Sequence, residues 1–473
     1  MFRRTKIICT LGPAVDSYEK ILDLVRAGMN VARVNCSHST SEQRKRWVEW
    51  TRKASEEENT YVGILFDLSG PKFRLGEIPG NGLEVSRGQE IEIGTSPGQL
   101  PILEKKVLER LRKGSQILIG DGEVSFRVKT IRNDKIILSC QTGGLVRSRQ
   151  GITLVGQSFD VPALTDQDKR DLKEGLELGV DFVAQSYVRS EKDVLELAEL
   201  IRAHDSPVQI VSKIETKQAV DSIEKILSVS DCVMVARGDL GLQMSIEDVP
   251  IVQKKIIALA RNLGKPVITA TQMLESMIEF PRPTRAEATD VANAILDGTD
   301  ATMLSAETAV GKYPIEATRQ MHRLAIKTEK SATFQKATES QRFTRNITAT
   351  ESVAKAACEM AQALDVKAIL SFSITGFTAR MVSKCRPRVP ILCATYRVRT
   401  ARQVSLLWGV RPLITEEFYS TEEMISHGFA ASIREKILSP HDTVIITAGI
   451  PVGKPGATNM VTLMKVFVPE DKR

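Results

Sequence analysis

Val208-Gln209-Ile210-Val211-Ser212-Lys213-Ile214-Glu215 and Cys232-Val233-Met234-Val235-Ala236-Arg237-Gly238-Asp239 decide how this chain is read. Each is a short, largely apolar run rich in β-branched residues, which fits a strand buried on both faces. Each ends abruptly in charge. A helical stretch lies between them, and strand–helix–strand succession implies parallel pairing.

Working outward, the same unit recurs. Downstream, Pro266–Thr271 and Ala301–Leu304 read as strands; upstream, Val180–Val188 does, with the rhythm starting at Val161-Pro162-Ala163-Leu164. At the start of the chain, Thr5–Thr10, Met29–Val34 and Tyr61–Phe66 alternate with helices, one carrying Tyr18, Ile21, Leu22 and Val25 at helical spacing and one over Ser41–Glu56. Three early strands and five later ones make the eight βα units of a (β/α)8 TIM barrel. Between the two groups, from about Lys72 to Ser158, the text is Gly-rich, with short alternating runs at Glu90–Ile93, Gln116–Ile119, Val124–Val128 and Ile136–Cys140. That is the pattern of an all-β lid domain inserted after strand 3. Past a polar linker near Ser331–Thr344, a helix over Glu351–Leu364 and strands at Ala368–Ser371, Val389–Ala394 and Thr443–Thr447 indicate a C-terminal open α/β domain. The expected division is 1–70 with 159–330 for the barrel, 71–158 for the lid and 331–473 for the C-terminal domain.

A length of 473 residues supports about three domains of ~150 residues each. With 42% hydrophobic and 26% charged residues, the composition is that of a soluble globular protein. No apolar run reaches membrane-spanning length, and the basic start MFRRTKIICTLGP meets Gly12-Pro13 too soon for a signal peptide, so a cytoplasmic location is expected. The seven cysteines are dispersed, with no CxxC pair, as expected of reduced thiols. With 5% aromatics and no basic run interleaved with stacking residues, nucleic-acid binding is unsupported, and small anionic substrates fit the net charge of +7 just as well.

In a barrel of this kind, functional groups gather at the C-terminal ends of the strands. There the chain offers Arg33-Val34-Asn35-Cys36-Ser37-His38, Asp67-Leu68-Ser69-Gly70-Pro71-Lys72-Phe73-Arg74, Lys213 with Glu215, Ala236-Arg237-Gly238-Asp239, Thr271-Gln272 and Ser305-Ala306-Glu307. Strand residues two apart share a side, so Lys213 and Glu215 are neighbours, either an ion pair or a catalytic pair. Asp239 from the next strand lets two carboxylates converge on a hard cation such as Mg2+ (or Mn2+). Gly238 lets the backbone approach a ligand, or is a plain turn glycine. Asn35, Ser37 and Asp67 bear oxygens that suit a second cation, although Asn and Ser after a strand also serve as caps.

These strings resemble pyruvate kinase. The likeness runs through Thr5–Ala14, Arg33–His38, Ser212–Glu215, Met234–Gly241, Ala270–Met277, Pro283–Glu287 and Met303–Thr308, in order and along the whole barrel. It implies phosphoryl transfer from phosphoenolpyruvate to ADP, giving pyruvate and ATP in glycolysis. It implies that Glu215 and Asp239 ligate the divalent metal. Lys213 would balance charge on the phosphoryl group and the enolate, and Arg33 would contact the phosphoryl group. Ala236, Gly238, Asp239 and Thr271 would hold the substrate, Thr271 also serving the route that protonates the enolate. Asn35, Ser37, Asp67 and the carbonyl of Leu68 match monovalent-cation ligands, and Arg74 and His38 fall at nucleotide-side positions. Arg285 sits where relatives meet a neighbouring subunit, so a homotetramer is expected.

The chain departs from the family pattern at Lys72, where many relatives carry Glu and require K+. An ammonium near Asp67 supplies the single charge K+ would bring, so activity without added K+ is expected. Gln150 stands where relatives place a Lys that grips nucleotide, leaving the lid-side contact open between Arg147 and Arg149; Asp121 matches an acidic lid residue. In the C-terminal domain, Ser373, Thr375, Gly376 and Thr378 form either an anion cradle for a sugar-phosphate effector, with Gly449–Gly456 as partner segment, or simple helix capping. A barrel lyase making a pyruvate enolate would share the acidic pair but lack the lid, the Lys213–Glu215 pair and the Arg33 motif. A non-catalytic paralogue would have lost Lys213, Thr271 or a metal ligand.

Overall fold

The computed structural model describes residues 2–132, 135–156, 161–340, 348–452 and 458–468. Strands β1 (Lys6–Leu11), β2 (Val31–Asn35) and β3 (Gly63–Asp67) come first. A block of short strands follows: β4 (Leu83–Val85), β5 (Glu90–Glu92), β6 (Gln116–Ile119), β7 (Val124–Arg132), β8 (Lys135–Thr142), β9 (Gly144–Val146) and β10 (Ile152–Leu154). Then come β11 (Phe182–Gln185), β12 (Gln209–Ile214), β13 (Cys232–Ala236), β14 (Val267–Ala270) and β15 (Ala301–Leu304). Among the described residues, β1, β2, β3 and β11–β15 close into one eight-stranded parallel barrel, β15 returning to β1. The (β/α)8 expectation therefore holds.

Period-two alternation sorts the barrel's side chains. Ile8, Val31, Leu65, Ala184, Val211, Met234 and Ile268 fill the lumen, while Ile7, Ala32, Ile64, Val183, Ile210, Val233 and Val267 face the helical shell. The helices start on strong signals. Thr40 with Gln43, Thr165 with Asp168 and Thr284 with Glu287 each form a capping box, satisfying end N–H groups that would otherwise be orphaned.

The insertion folds as a five-stranded antiparallel sheet, β10-β6-β7-β8-β5, with the pair β4-β9 beside it. It is not purely β: Lys105–Arg110 form a helix, with Val107 buried in the lid core. Fewer than two turns are too short for sequence periodicity to reveal. The expected break at Ser158 lies outside the described residues.

The C-terminal domain is an open sheet of β16 (Ala368–Phe372), β17 (Ile391–Thr395), β18 (Val410–Ile414), β19 (Thr443–Ala448) and β20 (Met460–Lys465), in the order β18-β17-β16-β19-β20. Only β20 runs antiparallel to its neighbour. This domain stoppers the base of the barrel. Leu406 joins the lumen cluster. The Arg386 guanidinium bonds Asp300 at 2.8 Å and the Gly298 carbonyl at 2.7 Å, and lies 4.8 Å from the Trp408 ring centroid. Lys6 donates to the Val410 carbonyl at 2.5 Å.

Candidate active site

The lumen-facing rows of the barrel change character at its mouth. Two residues past Ile8 comes Thr10; past Val31, Arg33; past Leu65, Asp67; past Ala184, Ser186; past Val211, Lys213 and then Glu215. The same alternation that packs the core therefore aims these polar groups at one point. The Asp67 carboxylate joins them. Arg33 donates to its Oδ2 at 2.7 Å, and Lys213 Nζ lies 3.2 Å from Oδ1. Arg33 also reaches Thr10 Oγ1 at 3.0 Å. Lys213 Nζ stands 2.8 Å from Glu215 Oε1 and donates to Ser186 Oγ at 2.7 Å, while Glu215 Oε2 accepts the Tyr187 N–H at 2.8 Å. Neither Thr10 nor Ser186 was singled out from sequence, although strand parity alone would have put Ser186 in line with Ala184.

Burial and charge compete here. Burial works against the Lys213 ammonium, but Asp67, Glu215 and Asp239 outweigh it and hold its pKa above the ordinary lysine value. Burial pushes Asp67 up, yet Lys213 and Arg33 bring it below the usual carboxylate range. Glu215 is pushed up by burial, with Lys213 opposing and Asp239 adding to the rise. A cavity of about 290 Å³ opens beside the cluster, lined by Lys72, Arg74, Asp121, Lys213, Glu215 and Asp239 among others. Lys72 is thus at the mouth. Dehydration and then Lys213 lower its pKa, and Asp239, Glu215 and Asp67, in that order, oppose the fall.

The remaining candidates are spread around the rim. Asn35 lies in register with Asp67 across β2 and β3. Its side chain caps the Ser37 N–H at 3.1 Å, and Ser37 Oγ bonds Ser69 Oγ at 2.7 Å. The buried Leu68 donates its N–H to the Ala184 carbonyl at 3.0 Å. His38 is exposed; partial burial, Lys72, Arg74 and Arg33 all lower its pKa, so it is neutral near pH 7. Arg74 reaches the Arg149 carbonyl at 2.9 Å, whereas Arg149 pairs with Glu77 at 2.6 Å and Gln150 accepts the Arg147 N–H at 2.7 Å. Ala236 ends β13, and the next turn places Gly238 so that its N–H donates to Thr271 Oγ1 at 2.8 Å. A Cβ on Gly238 would meet protein atoms only at 3.5 Å or beyond, so protein packing alone does not demand glycine there. Thr271 has φ +71 and Gln272 φ +52. A β-branched residue in that region costs about 1–3 kcal/mol and persists only where its surroundings dictate it.

The effector-loop candidates lie in the C-terminal domain, away from this mouth. Ser373 Oγ accepts the Thr378 N–H at 3.3 Å, Thr378 Oγ1 bonds Thr458 Oγ1 at 2.9 Å, Gly376 has φ +80 and Thr375 is exposed. The partner residues 453–456 are outside the described residues.

The family model for "Pyruvate kinase, barrel domain" matches residues 2–318, and that for "Pyruvate kinase, alpha/beta domain" matches 351–464. This chain belongs to the pyruvate kinase family. It is 40% identical to a pyruvate kinase of Geobacillus stearothermophilus over 100% of its own length and 81% of that relative's. It is 41% identical to one of Bacillus licheniformis over 99% and 81%. A crystal structure of a pyruvate kinase from Cryptosporidium parvum superposes with a TM-score of 0.92 at 32% identity, covering 98% of this chain and 96% of that one. The chain is an enzyme of this transferase family, passing a phosphoryl group from phosphoenolpyruvate to ADP. The family in general uses Mg2+ and K+. Among the described residues, no helix is long and apolar enough to cross a membrane.

Proposed function

We propose that the cluster at the barrel mouth carries the phosphoryl transfer, with Lys213 as its fixed cation. The observation behind this is the seating of Lys213 Nζ between Glu215 at 2.8 Å and Asp67 at 3.2 Å, beside a cavity that Asp239 also lines. An ammonium with a raised pKa acts as a permanent charge, not a base. It faces the charge that develops as enolpyruvate departs, and its geometry is set before the reaction begins. Arg33, oriented by Asp67 and Thr10, holds the phosphoryl oxygens. Ala236, Gly238, Asp239 and Thr271 hold the carboxylate end of the substrate, and Thr271 serves the protonation of the enolate. Arg74 and His38 flank the nucleotide's phosphates. The unit 71–158 acts as a lid that excludes water, against the barrel 1–70 with 159–330 and the regulatory unit 331–473.

Glu215 and Asp239 suit a divalent cation such as Mg2+ or Mn2+: two carboxylates on one cavity, with the remaining positions left to water and substrate oxygens. The mouth's own charges nearly balance, with Arg33, Lys72 and Lys213 against Asp67, Glu215 and Asp239. Two phosphorylated substrates therefore bring a negative excess that an added cation offsets. When bound, that ion neutralises charge on the transferring group and aligns it.

Lys72 replaces the monovalent cation. Its place on the same cavity supports this, as does its coupling to Asp239, Glu215 and Asp67. Asp67 is already engaged by Arg33 and Lys213, so K+ at Asn35, Ser37, Asp67 and Leu68 would have to share that carboxylate. The enzyme works in the cytoplasm as a homotetramer. Thr375 and the Gly376 turn take the phosphate of a sugar-phosphate effector, the buried Ser373 and Thr378 holding the loop in shape. The test is pyruvate formation from phosphoenolpyruvate and ADP, run with and without Mg2+, K+ and sugar phosphates. Activity that needs Mg2+ but not K+ is expected, and a large K+ dependence in buffer free of Na+ and K+ removes Lys72 from its role. Sugar phosphates that leave the phosphoenolpyruvate half-saturation unmoved remove the effector reading.

A further inference from the structure

One side chain gathers the carbonyls of the strained turn at Thr271 and Gln272. Arg237 opens the helix Arg237–Gln243 directly after β13, and its guanidinium turns back across the end of β14. It donates to the Ala270 carbonyl at 3.2 Å, the Thr271 carbonyl at 2.6 Å and the Gln272 carbonyl at 3.4 Å, and meets Met273 Sδ. Its other edge is anchored by Asp290, with NH1 2.8 Å from Oδ1 and 2.6 Å from Oδ2. Asp290 stands on the helix Arg285–Asp297. Three successive carbonyls, two of them on the positive-φ residues 271 and 272, converge on one planar fork of donors.

The rest of the loop is pinned elsewhere. The Leu274 N–H goes to Glu307 at 3.0 Å, and the Ser276 N–H to Glu287 at 2.7 Å. Loss of the Arg237 fork would therefore free Thr271 and Gln272 alone. The Thr271 hydroxyl has two partners: it accepts the Gly238 N–H at 2.8 Å and donates to the Ala270 carbonyl at 2.6 Å. That carbonyl is one of those Arg237 also holds. Where the hydroxyl points, and how freely its proton moves, thus depend on the guanidinium behind it.

We propose that Arg237, held by Asp290, is a positioning residue for enolate protonation: it fixes Thr271 in the left-handed conformation that keeps its hydroxyl on the Gly238 N–H, where Thr271, Gly238 and Asp239 line one cavity. This rests on the assignment of Thr271 to the protonation route. In that step the enolate π pair takes a proton at C3 and the C2–O bond becomes a carbonyl, so one proton is consumed and no redox partner is needed. Arg237 touches no reacting atom. Lys in its place keeps the charge but loses the fork.

The full-length Arg237→Lys, Asp290→Asn and Thr271→Ala variants are compared with the parent enzyme in two assays. One is pyruvate formation from phosphoenolpyruvate and ADP. The other is exchange of the pyruvate methyl hydrogens with D2O in the presence of MgCl2 and ATP, read by proton NMR. Exchange is expected to fall roughly 10–100-fold in all three variants. In Arg237→Lys and Asp290→Asn, which touch no substrate, the KM for phosphoenolpyruvate should stay within about threefold. The Arg237→Lys/Thr271→Ala double variant should exchange no more slowly than Thr271→Ala alone, because both act through one hydroxyl. Parental exchange in Arg237→Lys and Asp290→Asn beside an impaired Thr271→Ala overturns the positioning role and leaves Thr271 in place. Parental exchange in Thr271→Ala overturns both. A rise in KM that accounts for the whole loss in Arg237→Lys and Asp290→Asn also overturns the proposal. If Arg237→Lys fails to fold, the isosteric Asp290→Asn decides.

Discussion

The two ends of the barrel bury charge to opposite effect. At the base, Arg386 has Asp300, a backbone carbonyl and the Trp408 face as partners, and Glu329 accepts the N–H of Thr5 at 2.6 Å and of Arg4 at 2.9 Å. Those charges are enclosed between the barrel and the C-terminal domain. At the mouth, Lys213, Glu215 and Asp239 border an open cavity. Buried pairs of the first kind resist loss of either partner, because removal strands a charge. Groups of the second kind are aligned by the fold but still addressable by a ligand.

Four substitutions sharpen or break that contrast. Lys213→Met should fold normally yet lose on the order of 10³ in kcat, read by coupled pyruvate formation, since a preorganised charge facing the reaction is worth that much. If turnover is retained, the mouth is no different from the base. Asp300→Ala should cost about 3–5 kcal/mol in denaturant unfolding by stranding the Arg386 charge, while the folded fraction keeps near-parental kcat. A selective loss of kcat would show the base to be coupled to chemistry. Lys72→Glu should create a K+ requirement, with activity in K+-free buffer falling roughly 10–100-fold and largely restored by added K+. No restoration would place Lys72 outside the cation's role.

The smallest effect is a pH slope at the base. Burial and then Arg3 pull the Lys6 pKa down to about 7; Glu329 opposes this, Arg411 adds to it and Asp300 opposes it. Between about 7 and the unfolded value near 10.5, the unfolded chain binds the proton and the folded one does not. Stability attributable to Lys6 therefore rises with pH across that window, and its full cost is present below pH 7. Lys6→Met should flatten the rise in thermal midpoint between pH 7 and pH 10, and an unchanged slope would mean that Lys6 stays charged in the fold.

Much of the barrel was legible because its signal is local: fully buried strands, β-branched and charged at one end. The meeting of Arg33 and Lys213 at Asp67, with Glu215 beside Lys213, follows from strand parity, which sequence displays directly. Other elements were hidden for physical reasons. β18 carries Pro412, which masks a strand, and β20 is an antiparallel edge strand without a continuous apolar run. Val410–Ile414 and Met460–Lys465 were accordingly missed, as was the lid helix Lys105–Arg110. The role of Arg237 is hidden in sequence, because its partner Asp290 lies 53 positions away and no local pattern joins them.

Leu406 at the floor of the lumen has a consequence for traffic. It shares one buried cluster with Ile8, Val31 and Leu65, so the barrel interior is filled with side chains down to its base. Water displaced by an arriving substrate, and each proton exchanged with the reacting carbon, therefore pass at the C-terminal ends of the strands and not through the base.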